Sequence, residues 1–192
     1  MLTNNKWIPA VPRPNLDSEE AFAEFLKTWV AENYKDEIQA YINCFDDDED
    51  EEEFDFNIEE FGIYQSILEE WNGDDEDTAE DLIKRQSWSY REAKAFEEKR
   101  LSWDSDKHEE KLAIEWVKQN GYELPFPVGS RVKWRKYEGI IQEDKNNYYL
   151  PKGLVCVLTD EMAEENQRNA EKGISSRQGG YIAKWEDLEL VD

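Results

Sequence analysis

Hydrophobic positions in the first 120 residues recur at helical spacing. Phe22, Phe25, Leu26, Trp29 and Val30 follow i, i+3, i+4, i+7 and i+8, the pattern of one buried helix face. Asp17-Ser18-Glu19-Glu20 ahead of them reads as a helix cap, with Glu20 three positions after Asp17. Ile38, Tyr41, Ile42 and Phe45 repeat the spacing, and Phe61, Tyr64, Leu68 and Trp71 repeat it again. Leu82 with Ile83, and then Tyr90, Ala93 and Phe96, predict two shorter helices. Ser105 is placed to cap a last helix that turns Leu112, Ala113, Trp116 and Val117 inward. The expectation is a bundle of five or six helices.

After Asn120-Gly121 the period changes. Gly121 suits the left-handed position that ends a helix, and Pro125, Pro127, Pro151 and six more glycines follow it. Arg131-Val132-Lys133-Trp134-Arg135 alternates as a strand does, and Gly139-Ile140-Ile141 continues after a turn. Asn146-Asn147 marks another turn, and Leu154 to Leu158 is a short apolar run. A polar excursion from Asp160 to Gly180 leaves room for a helix over Glu161 to Glu171. Tyr181-Ile182-Ala183 and Leu188 to Val191 complete the set. The chain therefore reads as α+β: an acidic helical domain over residues 1–120, then a small β-barrel over 121–192. Closing four or five short strands into a barrel would leave few exposed edges.

Val128-Gly129-Ser130-Arg131-Val132-Lys133-Trp134, then Gly139-Ile140-Ile141, then Leu154 to Leu158 give residues 126–192 a pattern that resembles the SH3-like barrels. Trp185-Glu186-Asp187-Leu188-Glu189-Leu190-Val191 is similar to the ending of such barrels, a one-turn helix before the last strand. The resemblance implies a fold. It implies little about function, because that barrel serves ribosomal proteins, chromatin readers, redox subunits and phage proteins alike.

Charge changes the functional picture. The chain carries 47 acidic and 23 basic residues, a net charge of −24. Such a chain repels nucleic acid and anionic membrane surfaces, so direct nucleic-acid binding is disfavoured and no membrane partner is expected. Acidic chains with few aromatics stay disordered, but here 8 Trp, 9 Tyr and 8 Phe supply a core or a recognition surface. No leader-like apolar segment opens the sequence and no 18-residue apolar stretch occurs in it. Cys44 and Cys156 lie far apart; they leave room for one disulfide but read more readily as two reduced core thiols, so a cytoplasmic location is expected.

Catalytic signatures are absent from the sequence. One His and two distant Cys cannot build a zinc site, and His108 reads as an exposed bystander. No phosphate-cradling glycine loop and no nucleophile elbow occurs. Asp46, Asp48 and Asp50 mimic the first ligands of a calcium loop, but Glu51 stands where glycine is needed. No enzyme, metal or cofactor is implied.

The strongest feature is the run from Asp36 to Ile83, whose 48 residues hold 21 acids and no Lys or Arg. Aromatics are interleaved at Phe54, Phe56, Phe61, Tyr64 and Trp71. Were the segment mostly helical at about 1.5 Å per residue, its acids would recur about every 3.4 Å of path. Phosphates along one DNA strand recur at about the same interval. The candidate partner-binding residues are Asp46, Asp47, Asp48, Glu59, Glu60, Glu69, Glu70, Asp74, Asp75, Glu76 and Asp77.

In charge and size the chain resembles the acidic DNA-mimic inhibitors, many phage-borne, of the anti-restriction and anti-CRISPR type. Acidic toxin-immunity proteins share these features. The resemblance implies a basic nucleic-acid-binding protein or nuclease complex as partner. An alternative is an adaptor or assembly factor that uses the barrel, with Arg131, Lys133, Trp134, Arg135 and Lys136 stacking on and neutralising a nucleic-acid backbone. Those residues read more readily as an edge strand protected by Lys and Arg, or as an internal partner for the acidic domain.

Overall fold

The structure, a computed structural model, describes residues 2–3, 5–46, 56–142, 150, 153–175 and 179–191. Of the tract Asp46–Glu53 only the backbone of Asp46 falls among them, and the Asn146-Asn147 turn lies outside. The protein is mixed α and β. It divides into two compact units, residues 15–109 and residues 1–14 with 110–192. This division differs from the boundary expected at Asn120-Gly121. The reason is visible in the packing: Trp7, Trp116 and Val117 belong to the same core as the strand residues Val132, Ile141 and Val157.

In the first unit, α1 (Glu19–Asn33) is capped by Ser18, whose hydroxyl accepts from the Ala21 N–H, so Ser18 and not Asp17 is the capping residue. It buries Phe22, Leu26, Trp29 and Val30. α2 (Lys35–Asp46) follows and lays Ile38 and Tyr41 against the same core from a half-exposed position. A 3-10 turn (Ile58–Glu60) leads through buried Phe61 into α3 (Gly62–Glu70), which contributes Tyr64 and Ile67. The expected inward residue Leu68 is only partly buried, whereas Ile67 is fully buried. Trp71 stacks on Phe22, with ring centroids 5.5 Å apart and planes 6° from parallel.

α4 (Asp75–Arg85) and α5 (Tyr90–Lys99) add Leu82, Ala93 and Phe96. A capping box between Ser89 and Glu92 starts α5. α6 (Leu101–Asn120) begins one residue after Arg100, which adopts a left-handed conformation. The helix start expected at Ser105 is therefore corrected. Ser105 lies inside α6 and donates its hydroxyl to the Ser102 carbonyl at 2.8 Å, while the Trp29 indole N–H donates to Asp104 at 2.9 Å. α6 ends on Gly121 at φ +62, with Tyr122 N–H donating to the Val117 carbonyl at 3.0 Å.

The second unit is built on an antiparallel sheet. Its strands are β1 (Leu2–Thr3), β2 (Lys6–Trp7), β3 (Arg131–Trp134), β4 (Tyr137–Gln142), β5 (Leu154–Thr159), β6 (Tyr181–Lys184) and β7 (Leu188–Leu190). Their order is β1-β2-β7-β3-β4-β5-β6. α7 (Asp160–Glu171), capped by Thr159, fills the predicted helical excursion, and a 3-10 turn (Trp185–Asp187) precedes β7. The expected closed barrel is corrected: the sheet is open, with β1 and β6 at its edges among the described residues. The second side of β7 is taken by β2 through Lys6↔Glu189, so the N-terminal hairpin occupies the place a closing strand would need.

Alternation sets the inner face. Val132, Trp134, Ile141, Val155, Val157 and Ala183 point into the core. The N-terminal arm is pinned to it. Arg13 forks onto Glu186, donates to the Gly153 carbonyl at 2.6 Å and lies 4.9 Å from the Trp116 ring centroid. Trp7 meets Trp116, Tyr122 and Trp185 edge-on.

At Gly139 a Cβ would lie 2.4 Å from the Leu158 carbonyl oxygen of the paired strand. Gly139→Ala must push β4 and β5 apart. We expect a loss of about 1–3 kcal/mol, read as a lower denaturation midpoint with an unchanged denaturant slope. An unchanged midpoint would show that the sheet absorbs the methyl by sliding.

Candidate acidic interaction surface

The acids of the helical unit fall into two groups. Some are held by the fold. Asp74 caps α4, accepting from the N–H groups of Glu76 at 2.9 Å and Asp77 at 3.0 Å. Asp75 accepts from the Ser102 N–H at 3.0 Å and from its hydroxyl, tying the start of α4 to α6. The cap Asp74 and the three acids in the first turn of α4, Asp75, Glu76 and Asp77, also favour the positive end of the helix dipole, with Lys84 and Arg85 at the other end. Glu70 is only 8% exposed and accepts from Arg85 and Gln86, both at 2.9 Å. Glu69 accepts from the same Gln86 amide at 2.9 Å.

Other acids of the candidate set face solvent. Glu76 and Asp77 are exposed, and their carboxylates have no hydrogen-bond or ion-pair partner among the described residues. Glu60 is exposed and accepts only from Asn57, at 3.1 Å. Asp46 ends α2, and Asp47 and Asp48 lie outside the described residues.

Glu59 and Glu69 meet at a groove of about 440 Å³ that Glu20, Glu24, Lys27 and Tyr64 also line. Lys27 pairs with Glu24 and Glu59, and these hydrogen bonds hold its ammonium above the usual lysine range. The groove thus gathers four carboxylates and one ammonium, two of the carboxylates paired with it. Glu20 and Glu24 escaped the sequence reading because they lie outside the Lys- and Arg-free run. Their i, i+4 spacing on α1, on the side away from Leu26, was the available signal.

The basic strand residues are largely engaged within the sheet unit. Arg131 pairs with Asp160 and with Glu138, the latter at 3.0 Å. Lys133 lies across from Glu138 on one side and Glu189 on the other. Trp134 is 8% exposed, with Tyr137 and Tyr181 rings at 6.3 and 5.1 Å and the Arg135 guanidinium 4.8 Å from its centroid. Arg135 and Lys136 form the two-residue turn between β3 and β4, with Arg135 at φ +54 and Lys136 5.1 Å from the Tyr137 ring centroid. Trp134 presents no open face for a stacked base.

Other candidate chemistry resolves simply. His108 is half-buried and not an exposed bystander, with its ring 4.9 Å from that of Phe25. Neither Cys44 nor Cys156 is in a disulfide, and Cys44 is exposed where a core thiol was expected. Among the described residues no group of three or more His, Cys, Asp or Glu side chains is placed to hold a metal ion. No helix among them is long and apolar enough to cross a membrane. Compared with known proteins, the chain matches no family model, no curated protein and no solved structure.

Two predictions follow from this partition. Hydrogen bonds from Gln86, then from Arg85, hold the Glu70 carboxyl below the usual carboxylate range despite its burial. A depressed folded-state pKa stabilises the protein above the unfolded value of about 4.3 and loses that contribution as pH falls through the folded value. The stability difference between wild type and Glu70→Gln is therefore expected to be constant above about pH 5 and to shrink on acidification. A difference that grew towards low pH would contradict the assignment. Second, titrating the full chain with single-stranded DNA at low salt is expected to give no saturable fluorescence change attributable to Trp134, judged against Trp134→Phe.

Proposed function

We propose that the protein is an acidic inhibitor that binds a basic nucleic-acid-binding protein or nuclease complex by presenting carboxylates in the manner of a nucleic-acid backbone. The supporting observation is the set of carboxylates that face solvent, of which Glu60, Glu76 and Asp77 have no cation paired with them among the described residues. Glu60, Glu76 and Asp77, with the Glu20–Glu24–Glu59–Glu69 groove, are set on helices whose faces are fixed by an aromatic core. Fixed charge at this density attracts a basic groove at long range and rejects polyanions. Anti-restriction, anti-CRISPR and toxin-immunity activities use the same chemistry and differ in the identity of the basic partner. On this reading the protein is a binder without catalytic activity or cofactor, and it works in the cytoplasm, where unbridged thiols are stable.

We read residues 126–192 as an opened SH3-like arrangement. The order β7-β3-β4-β5-β6 and the 3-10 turn feeding β7 support that reading. Its basic residues serve the sheet, through Arg131 with Asp160 and Glu138, more directly than they serve a nucleic acid.

The test is capture of basic proteins from host lysate at low and high salt, with and without competing DNA. The triple variant Glu60→Gln, Glu76→Gln, Asp77→Asn spares Glu70, Asp74 and Asp75, so it should stay folded and lose only the helix-dipole contribution of Glu76 and Asp77, about 0.3–1 kcal/mol each. Its partner affinity should fall, and the fall should be larger at low salt, because exposed charges are screened over about 8 Å at physiological ionic strength. Unchanged affinity and an unchanged salt slope would exclude this face as the binding surface. Capture that competing DNA does not displace would exclude mimicry.

A further inference from the structure

The groove of about 440 Å³ in the helical unit lies between α1 and α3. Phe22, near the start of α1, stacks on Trp71 just past the end of α3, and Lys27, further along α1, reaches Glu59 just ahead of α3. The two helices therefore run in opposite directions, and the groove has two distinct ends. Lys27, Glu24 and Glu59 share one end, and Glu20 and Glu69 share the other. The ends are unequally neutralised. Lys27 pairs with both Glu24 and Glu59. Glu20 has no hydrogen-bond or ion-pair partner among the described residues, and Glu69 takes only the Gln86 amide, on Oε2.

Tyr64 sets this groove apart from an ordinary acidic surface. Its side chain is 4% exposed and lines the groove, and its hydroxyl makes no hydrogen bond among the described residues. Among those residues Tyr34 is the one non-exposed side chain whose unpartnered polar atom is sealed from solvent, so the Tyr64 hydroxyl keeps an open surface. Its ring is packed into the aromatic core, and that surface opens on the groove. Lys27, Glu59 and Glu24, all groove residues, are the charges that act on the phenol. Burial pushes the phenol up, so it stays neutral and able to accept a hydrogen bond. Solvent reaches this hydroxyl, so a ligand can take the place of that solvent without opening the fold. Ala23 and Leu68 add an apolar floor, and the volume falls in the range of small-ligand sites. Both oxygens of Glu20, Oε1 of Glu69 and the Tyr64 hydroxyl are more acceptors than an ammonium can use. They suit the planar donor fork of a guanidinium.

We propose that the groove between α1 and α3 seats an arginine side chain of the basic partner, its stem on Ala23 and Leu68 and its guanidinium held by the Tyr64 hydroxyl, Glu20 and Glu69. Lys27 keeps Glu24 and Glu59 engaged and leaves the other end to the incoming cation. The proposal rests on the reading of the acidic surface as the partner-binding one. It adds what exposed charge alone does not supply, a preference for arginine over lysine at one point of the interface. Arginines anchored in pockets of this kind carry a large share of binding energy in protein interfaces.

An NMR titration of the full-length chain with N-acetyl-arginine methylamide, its lysine counterpart and its neutral citrulline counterpart tests this. Saturable shifts at the Ala23, Gln65 and Leu68 amides are expected with arginine, weaker ones with lysine and none with citrulline. Tyr64→Phe removes no hydrogen bond of the folded protein, so its thermal midpoint should match wild type, while its affinity for the arginine probe falls about tenfold. Glu20→Gln with Glu69→Gln should abolish the shifts; both positions are exposed, and the Gln86 amide still finds an acceptor at position 69. Glu60→Gln with Glu76→Gln removes the same charge outside the groove and should leave the arginine affinity near that of wild type. Absence of saturable shifts with arginine, equal binding of lysine or citrulline, or unchanged affinity in Tyr64→Phe would overturn the proposal. The probes need no partner, so the two readings fail separately. Arginine binding without capture of any basic protein would support the site and overturn the partner reading, and capture undiminished in Tyr64→Phe would overturn the arginine seat alone.

Discussion

Mutual repulsion of carboxylates is the constraint under which residues 15–109 fold. From Asp36 to Ile83 no Lys or Arg offers relief along the chain. Two carboxylates about 7 Å apart in water repel by about 0.6 kcal/mol, small for one pair and considerable over a run of 21 acids. The unit answers with a large aromatic core and with cations borrowed from the flanks. Lys27 on α1 reaches Glu59, and Arg85 beyond the run reaches Glu70. Each borrowed cation joins elements that are distant in sequence, so neutralisation and tertiary packing occur together.

Helix ends absorb much of the remaining charge. Asp74 and Asp75 spend their oxygens on the N–H groups of Glu76, Asp77 and Ser102, and the first turn of α4 gains from the helix dipole. An acidic cluster in sequence is thus partly a folding device. The distinction between acids that shape the unit and acids that are left over is a matter of hydrogen bonds, and the count of charges does not reveal it.

The helices were largely legible because a buried face imposes a period on neighbouring positions, as at Phe22, Leu26, Trp29 and Val30. The strands β3 to β7 were legible from alternation and β-branched runs. β1 and β2 were not, since two residues each carry no period, and their pairing rests on the distant Glu189 strand. Without them the open sheet looked like a closed barrel. The start of α6 was missed because Arg100 turns the chain through a left-handed conformation that favours glycine, with no local sequence signal. Within the candidate surface, the buried role of Glu70 was invisible for a similar reason: Arg85 and Gln86 lie 15 and 16 positions away.

The hidden hydroxyl of Tyr34 and the exposed carboxylates of α4 pose the same physical question from opposite sides. A polar group in a folded chain is answered by water, by the protein or by a ligand. Water answers Glu76 and Asp77, at a cost in repulsion that an approaching basic surface would relieve. Neither water nor the described protein answers Tyr34. The two differ in where the cost can be relieved. Repulsion among exposed carboxylates is open to an approaching cation, and attraction of that kind is salt-sensitive and tolerant of sequence. The hydroxyl of Tyr34 is closed to solvent, so its cost is borne by the aromatic core packed around it.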